Sequence, residues 1–153
     1  LVVQANLSNS YYELGRKEEA LRLRQEVYSG RLKLSGESIE TLQATYNYAN
    51  SLGDMKRFEE AKSLLRKAMP VARRVHGESH LVSLGMRLYY AKLLYEDTVA
   101  TLVDLREALN TLEEIEPTAR RVFGGPHPLT EAIEHDLRKA RAALRARETP
   151  SPR

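Results

Sequence analysis

A stretch near the start of the chain occurs again, in altered form, 41 residues later. Residues 6–20 read NLSNSYYELGRKEEA, and residues 47–61 read NYANSLGDMKRFEEA. Two asparagines, a serine, an arginine and a Glu-Glu-Ala run coincide at that spacing. Self-similarity at a fixed period of about 20 to 50 residues is typical of repeat architectures, in which each copy is one supersecondary unit stacked on its neighbour.

A third, degenerate copy follows the first two. The stretch PVARRVHG at 70–77 returns as PTARRVFG at 117–124, which is 47 residues later, so the third copy carries a net insertion. Most of that insertion falls within residues 95–108. We therefore expect a repeat domain over 1–147, made of repeats at about 1–36, 37–77 and 78–124 and a capping helix at 127–147, with a disordered tail at 148–153.

Apolar residues within each copy recur at spacings of three and four, which places them on one face of a helix. The pattern predicts helices near 2–14, 17–34, 38–53, 57–76, 79–95, 101–123 and 127–147. We expect Ser38, Ser79 and Thr101 to cap helix N-termini. Pro70 and Pro117 fall inside two predicted helices. Each should kink its helix or end it early, because proline removes a hydrogen bond and clashes with the preceding turn.

The first copy resembles the tetratricopeptide repeat, a helix–turn–helix unit with small residues at set packing points. The matching residues are Asn6, Leu7, Ser8, Asn9, Tyr11, Leu14, Gly15, Ala20 and Val27. The copies exceed the usual length of about 34 residues, and the helix opening GGPHPLT at 124–130 is similar to the longer repeats of kinesin light chains. The resemblance implies an all-α, right-handed superhelical solenoid of helix-turn-helix repeats with a terminal capping helix, acting as a protein–protein interaction scaffold or adaptor.

An asparagine pair, three residues apart, occurs in the first copy and again in the second. An amide both donates and accepts hydrogen bonds, so it suits an extended peptide backbone. We expect Leu7 and Tyr11 to take the packing face of the first helix, which points its asparagines away. The resemblance implies that the asparagine face lines a concave groove, and the third copy brings aromatic and cationic character there. The predicted peptide-binding residues are Asn6, Asn9, Tyr46, Asn47, Asn50, Tyr89 and Lys92.

A plainer interpretation of the asparagines stays open, namely that they are tolerated polar residues or bond a neighbouring helix. One known variant of the family clamps a C-terminal carboxylate with two asparagines and three cations. Ala5, Gly85 and Tyr89 stand where resemblance places those cations. Without positive charge the clamp has little reason to hold a carboxylate, so we predict no chaperone-tail clamp.

Residues typical of catalysis or metal binding do not form a recognisable pattern. His76 and His80 have the i, i+4 spacing of a helical metal pair, but Gly77 lies between them, so we expect loop and cap histidines. The sequence has no nucleophile elbow, zinc-ligand set or phosphate-binding loop, and we predict no enzyme activity, no cofactor and no metal. The absence of cysteine excludes disulfides and fits a reducing, cytoplasmic compartment. No stretch of about 18 apolar residues occurs, so no membrane partner is expected.

Two other functions compete with peptide binding. One is a structural spacer or self-association module within a larger protein that has no peptide ligand. The apolar start, Leu1 to Val3, lacks a readable cap, so we expect this edge to meet either preceding repeats of a longer protein or another copy of the chain. The last helix is basic, and its solvated face could serve acidic partners or nucleic acid. No aromatic side chains accompany those cations for base stacking, so nucleic acid is disfavoured. The basic residues are Arg138, Lys139, Arg141, Arg145 and Arg147.

Overall fold

A computed structural model describes residues 1–149, and these residues form seven α-helices and no strand. The helices are α1 (Val2–Glu13), α2 (Lys17–Ser35), α3 (Ile39–Asp54), α4 (Phe58–His76), α5 (Leu81–Glu96), α6 (Leu102–Phe123) and α7 (Pro128–Glu148). The all-α prediction is confirmed, and each helix boundary lies within about two residues of its predicted position. Residues 150–153 of the predicted tail lie outside the described residues.

The chain divides into two compact units, Leu1–Glu78 and Ser79 onward, which we call the first and second units. In the first unit α2 packs against both α1 and α3, and α3 packs against α4. In the second unit α6 packs against α5 and α7, and α5 also contacts α7. Small residues allow these close crossings, since Ala20, Ala61 and Ala108 are all fully buried.

The turns that join α1 to α2 and α3 to α4 repeat each other bond for bond. Gly15 has a φ of 75°, and Lys56, 41 residues later, has a φ of 61°. The N–H of Arg16 donates to the carbonyl of Tyr11, and the N–H of Arg57 makes the corresponding bond to Leu52. A lysine in the left-handed region is uncommon, so the hydrogen bonds of the turn hold Lys56 in the conformation that glycine adopts freely in the first copy.

Two of the three predicted helix caps are confirmed. Ser38 and Thr101 are N-caps as expected, and Thr101 forms a capping box with Asp104. Ser79 is not the cap of α5, and that prediction is wrong. His80 occupies the position, and its Nδ1 accepts from the Val82 N–H at 3.2 Å. An imidazole nitrogen satisfies an orphan N–H as a hydroxyl does.

Two prolines sit inside helices that continue past them. Pro70 lies within α4 and Pro117 within α6, so the expectation that either ends its helix early is wrong. Both prolines are exposed. The carbonyls that they deprive of a helical donor belong to Arg66 and Glu113, which are also exposed. Water can therefore replace the missing N–H, and the helix tolerates the ring.

Candidate functional site

Five of the seven predicted groove residues lie in the first unit. The asparagines of α1, Asn6 and Asn9, are exposed, whereas Asn47 and Asn50 of α3 are half-buried, as is its Tyr46. Both helices pack against α2, so the first unit carries the two asparagine pairs on neighbouring elements.

The other two predicted residues, Tyr89 and Lys92, lie on α5 of the second unit, where both are half-buried. A single surface that runs through all seven residues therefore stays a prediction.

The packing face of α1 differs from the predicted one. Leu7 is 42% exposed, and the buried residue of this helix is Ser8, at 1%. The residue of the second copy that corresponds to Leu7 is Tyr48, whose ring stacks on Tyr28 of the preceding helix α2 at 5.6 Å between centroids. No helix precedes α1 among the described residues, so the Leu7 face has no such neighbour.

A buried arginine reaches between α1 and α3, at the asparagine pairs. Arg24 of α2 is only 7% exposed. Its Nη1 donates to Ser51 Oγ at 2.9 Å and to the carbonyl of Asn47 at 3.2 Å, and its Nη2 donates to Asn9 Oδ1 at 3.2 Å. The guanidinium also lies over the ring of Tyr12, 4.2 Å from the centroid. We call these five residues the Arg24 cluster, which joins α1, α2 and α3.

Sequence reasoning missed Arg24, although the sequence contained a signal for it. The position 41 residues later holds Leu65, and the matching position of the third copy holds Leu112. Both leucines are fully buried. Burying a charged residue at a position where the other repeats bury leucine costs free energy unless the charge is paired. An arginine at this position therefore indicates partners in the neighbouring helices.

Each unit also contains a tyrosine whose pKa is raised in part by an aspartate of a later helix. In the first unit the side chain of Asp54 on α3 is the largest cause of the raised pKa of Tyr12 on α1. In the second unit Tyr95 Oη donates to Asp136 Oδ1 at 3.0 Å, between α5 and α7. Burial is the largest cause of the raised pKa of Tyr95, with Asp136 adding to it.

The first unit has clefts formed by α2, α3 and α4. A cleft of about 130 Å³ is lined by Tyr28, Leu64 and Lys67, among others. A wider cleft of about 610 Å³ shares these three residues and adds Tyr48. These clefts can hold an apolar side chain, and they form the alternative surface for a ligand of this unit.

The basic residues of α7 are partly engaged inside the second unit. Arg141 pairs with Glu113 at 3.3 Å, and Arg147 donates to the carbonyl of Ala100. These contacts hold α7 against the rest of the second unit. Two of the five predicted cations are therefore engaged within the unit.

Three of the four histidines lie at helix ends, and the fourth, His135, lies within α7. His76 is the last residue of α4, and His127 caps α7 by accepting from the Leu129 N–H at 3.1 Å. Within residues 1–149, no cluster of three or more histidine, cysteine or acidic side chains could hold a metal ion. None of the helices in that range is long and apolar enough to cross a membrane.

Comparison with known proteins identifies the family. The profile described as tetratricopeptide repeat matches residues 1–38 and 41–82. No curated protein sequence matches the chain.

Among solved structures, Podosopora anserina repeats described as nearly identical TPR-like repeats of a kinesin light chain superpose with a TM-score of 0.81 at 22% identity, over 94% of this chain and 66% of that one. A second crystal structure of such repeats, from a variant with one substitution, gives a TM-score of 0.56 at 19% identity over 97% and 88% of the two chains. The crystal structure of BtubC (BKLC) from P. vanneervenii superposes with a TM-score of 0.61 at 16% identity, over 99% of this chain and 66% of that one.

At these identities the structures show a shared fold, and they confirm the predicted resemblance to kinesin-light-chain-like repeats at that level. The chain covers 66% of the first of these chains, just under two thirds of its length. Folds of this kind are stacks of helical hairpins, which agrees with the consecutive packing of helices in each unit. The profile match spans more than half of the chain, and the chain therefore belongs to the tetratricopeptide repeat family.

Proposed function

We propose that this chain is an adaptor that binds a partner's peptide along the face of the first unit formed by α1 and α3. Tetratricopeptide repeats are generally non-enzymatic scaffolds for protein–protein interaction. The observation that supports a binding role for this face is the Arg24 cluster, in which Asn9 and Asn47 of the two asparagine pairs are joined through one buried guanidinium.

The chemistry of this face suits an extended peptide. Each asparagine side chain carries one acceptor oxygen and two N–H donors, which match the alternating carbonyls and N–H groups of a peptide backbone. The spacing of Asn6 and Asn9 recurs in α3, so one extended peptide can meet an asparagine pair on each helix. Backbone recognition of this type gives affinity with little dependence on sequence.

Specificity would come from the corresponding positions in the third copy, where Tyr89 and Lys92 replace the asparagines. A half-buried tyrosine and lysine suit an aromatic or acidic side chain of the ligand.

A second candidate function is self-association through α1. Val3 is 78% exposed, Leu7 42% and Leu14 72%, and the three residues recur at helical spacing on one face. An exposed apolar stripe of this kind is typical of an interaction surface. It predicts a concentration-dependent dimer in light scattering that Leu7→Glu abolishes, whereas peptide binding predicts no such dependence.

The peptide-binding proposal is tested with a phage-displayed library of random dodecapeptides. We expect the chain to select a peptide, and replacing both Asn9 and Asn50 by alanine to weaken its binding about tenfold or somewhat more. Each lost hydrogen bond is worth roughly 0.5–1.5 kcal/mol net, and about 1.4 kcal/mol corresponds to a factor of ten.

The matched control is Asn110→Ala, because Asn110 is an exposed asparagine of α6 outside the proposed site. Helicity and binding should both survive that substitution. If the double variant binds the selected peptide as tightly as the parent chain does, the site lies elsewhere, and the clefts between α2 and α4 become the better candidate. Binding that weakens steeply with salt and follows the α7 cations would favour an acidic partner or nucleic acid instead.

A further inference from the structure

We infer that Arg24 fixes which hydrogen-bonding group Asn9 presents, so that the first unit selects a peptide group that accepts a hydrogen bond at this point. The inference rests on the proposed peptide site and specifies the ligand chemistry that one part of it requires. Arg24 is too buried to contact a ligand over much of its surface, and we assign it the role of a positioning residue for specificity.

The chemistry of the guanidinium decides the orientation of the amide. Arginine offers only N–H donors, so the Asn9 atom that faces it at 3.2 Å must be the oxygen Oδ1. The amide is planar, and its Nδ2 therefore projects from the opposite side of the side chain. Asn9 is exposed, so its N–H donors are directed away from the Arg24 cluster.

The guanidinium is itself held from other directions. Nη1 donates to Ser51 and to the carbonyl of Asn47, and the plane lies over the ring of Tyr12. An Asn9 amide that flipped would place its N–H groups against the guanidinium N–H groups in a buried setting. Like-signed dipoles at that distance repel, and the buried donors would lose their acceptor. The amide orientation is therefore set before any ligand arrives.

The second copy provides an internal comparison. Asn50 corresponds to Asn9, but the position that corresponds to Arg24 is Leu65, which is fully buried and offers no hydrogen bond from its side chain. The guanidinium that orients Asn9 therefore has no counterpart at the matching position of the second copy.

The group selected is an acceptor, either a main-chain carbonyl or a side-chain carboxylate of the peptide. The discrimination comes from the outward N–H donors. A ligand that places an ammonium or an amide N–H at this point would meet a donor and be rejected.

The test uses Asn9→Asp in the full chain, with the dodecapeptide that the parent chain selects from the random library as probe. Aspartate has the same shape and keeps its bond to Arg24, now charge-assisted, so the variant stays folded. Its outward atom becomes an acceptor. We expect at least about a tenfold loss of affinity, with an unchanged or raised melting temperature. Asn110→Asp has the same change in net charge and should bind normally.

A double-mutant cycle tests the role of Arg24 itself. Arg24→Leu places in the first copy the residue that the other copies have, and it releases the amide of Asn9. We expect Asn9→Ala to weaken binding clearly in the parent chain and much less in the Arg24→Leu background, whereas Asn50→Ala weakens both equally. Each acidic residue of the probe is then replaced by its amide. If a carboxylate of the probe meets Asn9, one of these replacements weakens binding, and if a main-chain carbonyl does, none of them does.

Each outcome is decisive. If Asn9→Asp binds the probe as tightly as the parent chain, or if Arg24→Leu leaves the effect of Asn9→Ala unchanged, the inference is overturned while the peptide site stands. If the parent chain selects no peptide from the library, the proposed function fails, and the inference about its ligand fails with it.

Discussion

Replacing Arg24 by leucine should leave the first unit folded and at least as stable as the parent chain. Burying a leucine side chain fully contributes about 1.5–3 kcal/mol relative to leaving it exposed. The substitution also removes the cost of desolvating a guanidinium that is only 7% exposed. Replacement of buried ionic groups by apolar residues of similar volume is often neutral, or stabilising by about 1–4 kcal/mol.

The losses are limited by where the partners of Arg24 lie. Asn9 is exposed, so water replaces the guanidinium at its oxygen. Ser51 and Asn47 are four residues apart on α3, which allows the serine hydroxyl to donate to the asparagine carbonyl when both lose their donor. The aromatic contact with Tyr12 is lost, at about 0.5–2 kcal/mol. The expected balance for Arg24→Leu lies between no change and a gain of about 2 kcal/mol.

Alanine at the same position gives the contrasting result. It removes the bonds of the guanidinium and also leaves a cavity between three helices, so Arg24→Ala should destabilise the first unit by about 1–3 kcal/mol. The difference between leucine and alanine separates the effect of lost volume from the effect of lost charge.

Hydrogen exchange read by mass spectrometry is the appropriate assay, because it reports each unit separately. Peptides from α2 and α3 should exchange no faster in Arg24→Leu than in the parent chain, and peptides from α6 provide the internal control. Exchange in the first unit that is accelerated more than about 30-fold, or roughly 2 kcal/mol, would refute this reasoning. Arg24 would then be a residue required for folding and not one retained for a ligand.

Two further predictions concern packing and pH. Ala20→Leu and Ala61→Leu should each lower stability by about 1–3 kcal/mol through overpacking, because both alanines are fully buried where helices cross; thermal melts that do not change would contradict the closeness of those crossings. Tyr95→Phe should destabilise the second unit by about 1–3 kcal/mol, because it takes a hydrogen bond from the buried carboxylate of Asp136. Since the folded pKa of Tyr95 is raised above the unfolded value of 10.0, its contribution is complete below pH 10 and is lost as pH rises further. Urea titrations at neutral pH and above pH 10 should therefore show that the difference in free energy of unfolding between the parent chain and Tyr95→Phe is smaller at the higher pH. A difference that does not change with pH would exclude this linkage.

Sequence patterns predicted the helices well because each helix depends mainly on local information. Apolar spacing of three and four fixes which residues face inward, and a glycine such as Gly15 marks a hairpin turn in the sequence itself. The same turn at Lys56 carries no glycine, yet its position was predictable from the repeat. The similarity between the copies therefore predicts this turn, which local residue preferences alone do not.

The errors arose where the outcome depends on what surrounds a residue. The prediction that Pro70 ends α4 early is wrong, because the proline is exposed and water can serve the freed carbonyl. Leu7 was assigned to the packing face from its position on the helix, whereas its exposure depends on whether a neighbouring helix covers it. Arg24 was overlooked because its value as a core residue depends on partners from two other helices, which no spacing rule reveals.

The prolines inside α4 and α6 have a consequence for how fast the chain folds. A continuous helix accommodates only a trans peptide bond, so the bonds that precede Pro70 and Pro117 must both be trans before α4 and α6 can form. In an unfolded chain each X–Pro bond is cis in about 10–30% of molecules, so two such bonds leave roughly a fifth to a half of the chains with at least one wrong isomer. Refolding after long denaturation should therefore show a slow phase of tens of seconds that prolyl isomerase accelerates, and it should shrink when Pro70 and Pro117 are both replaced by alanine.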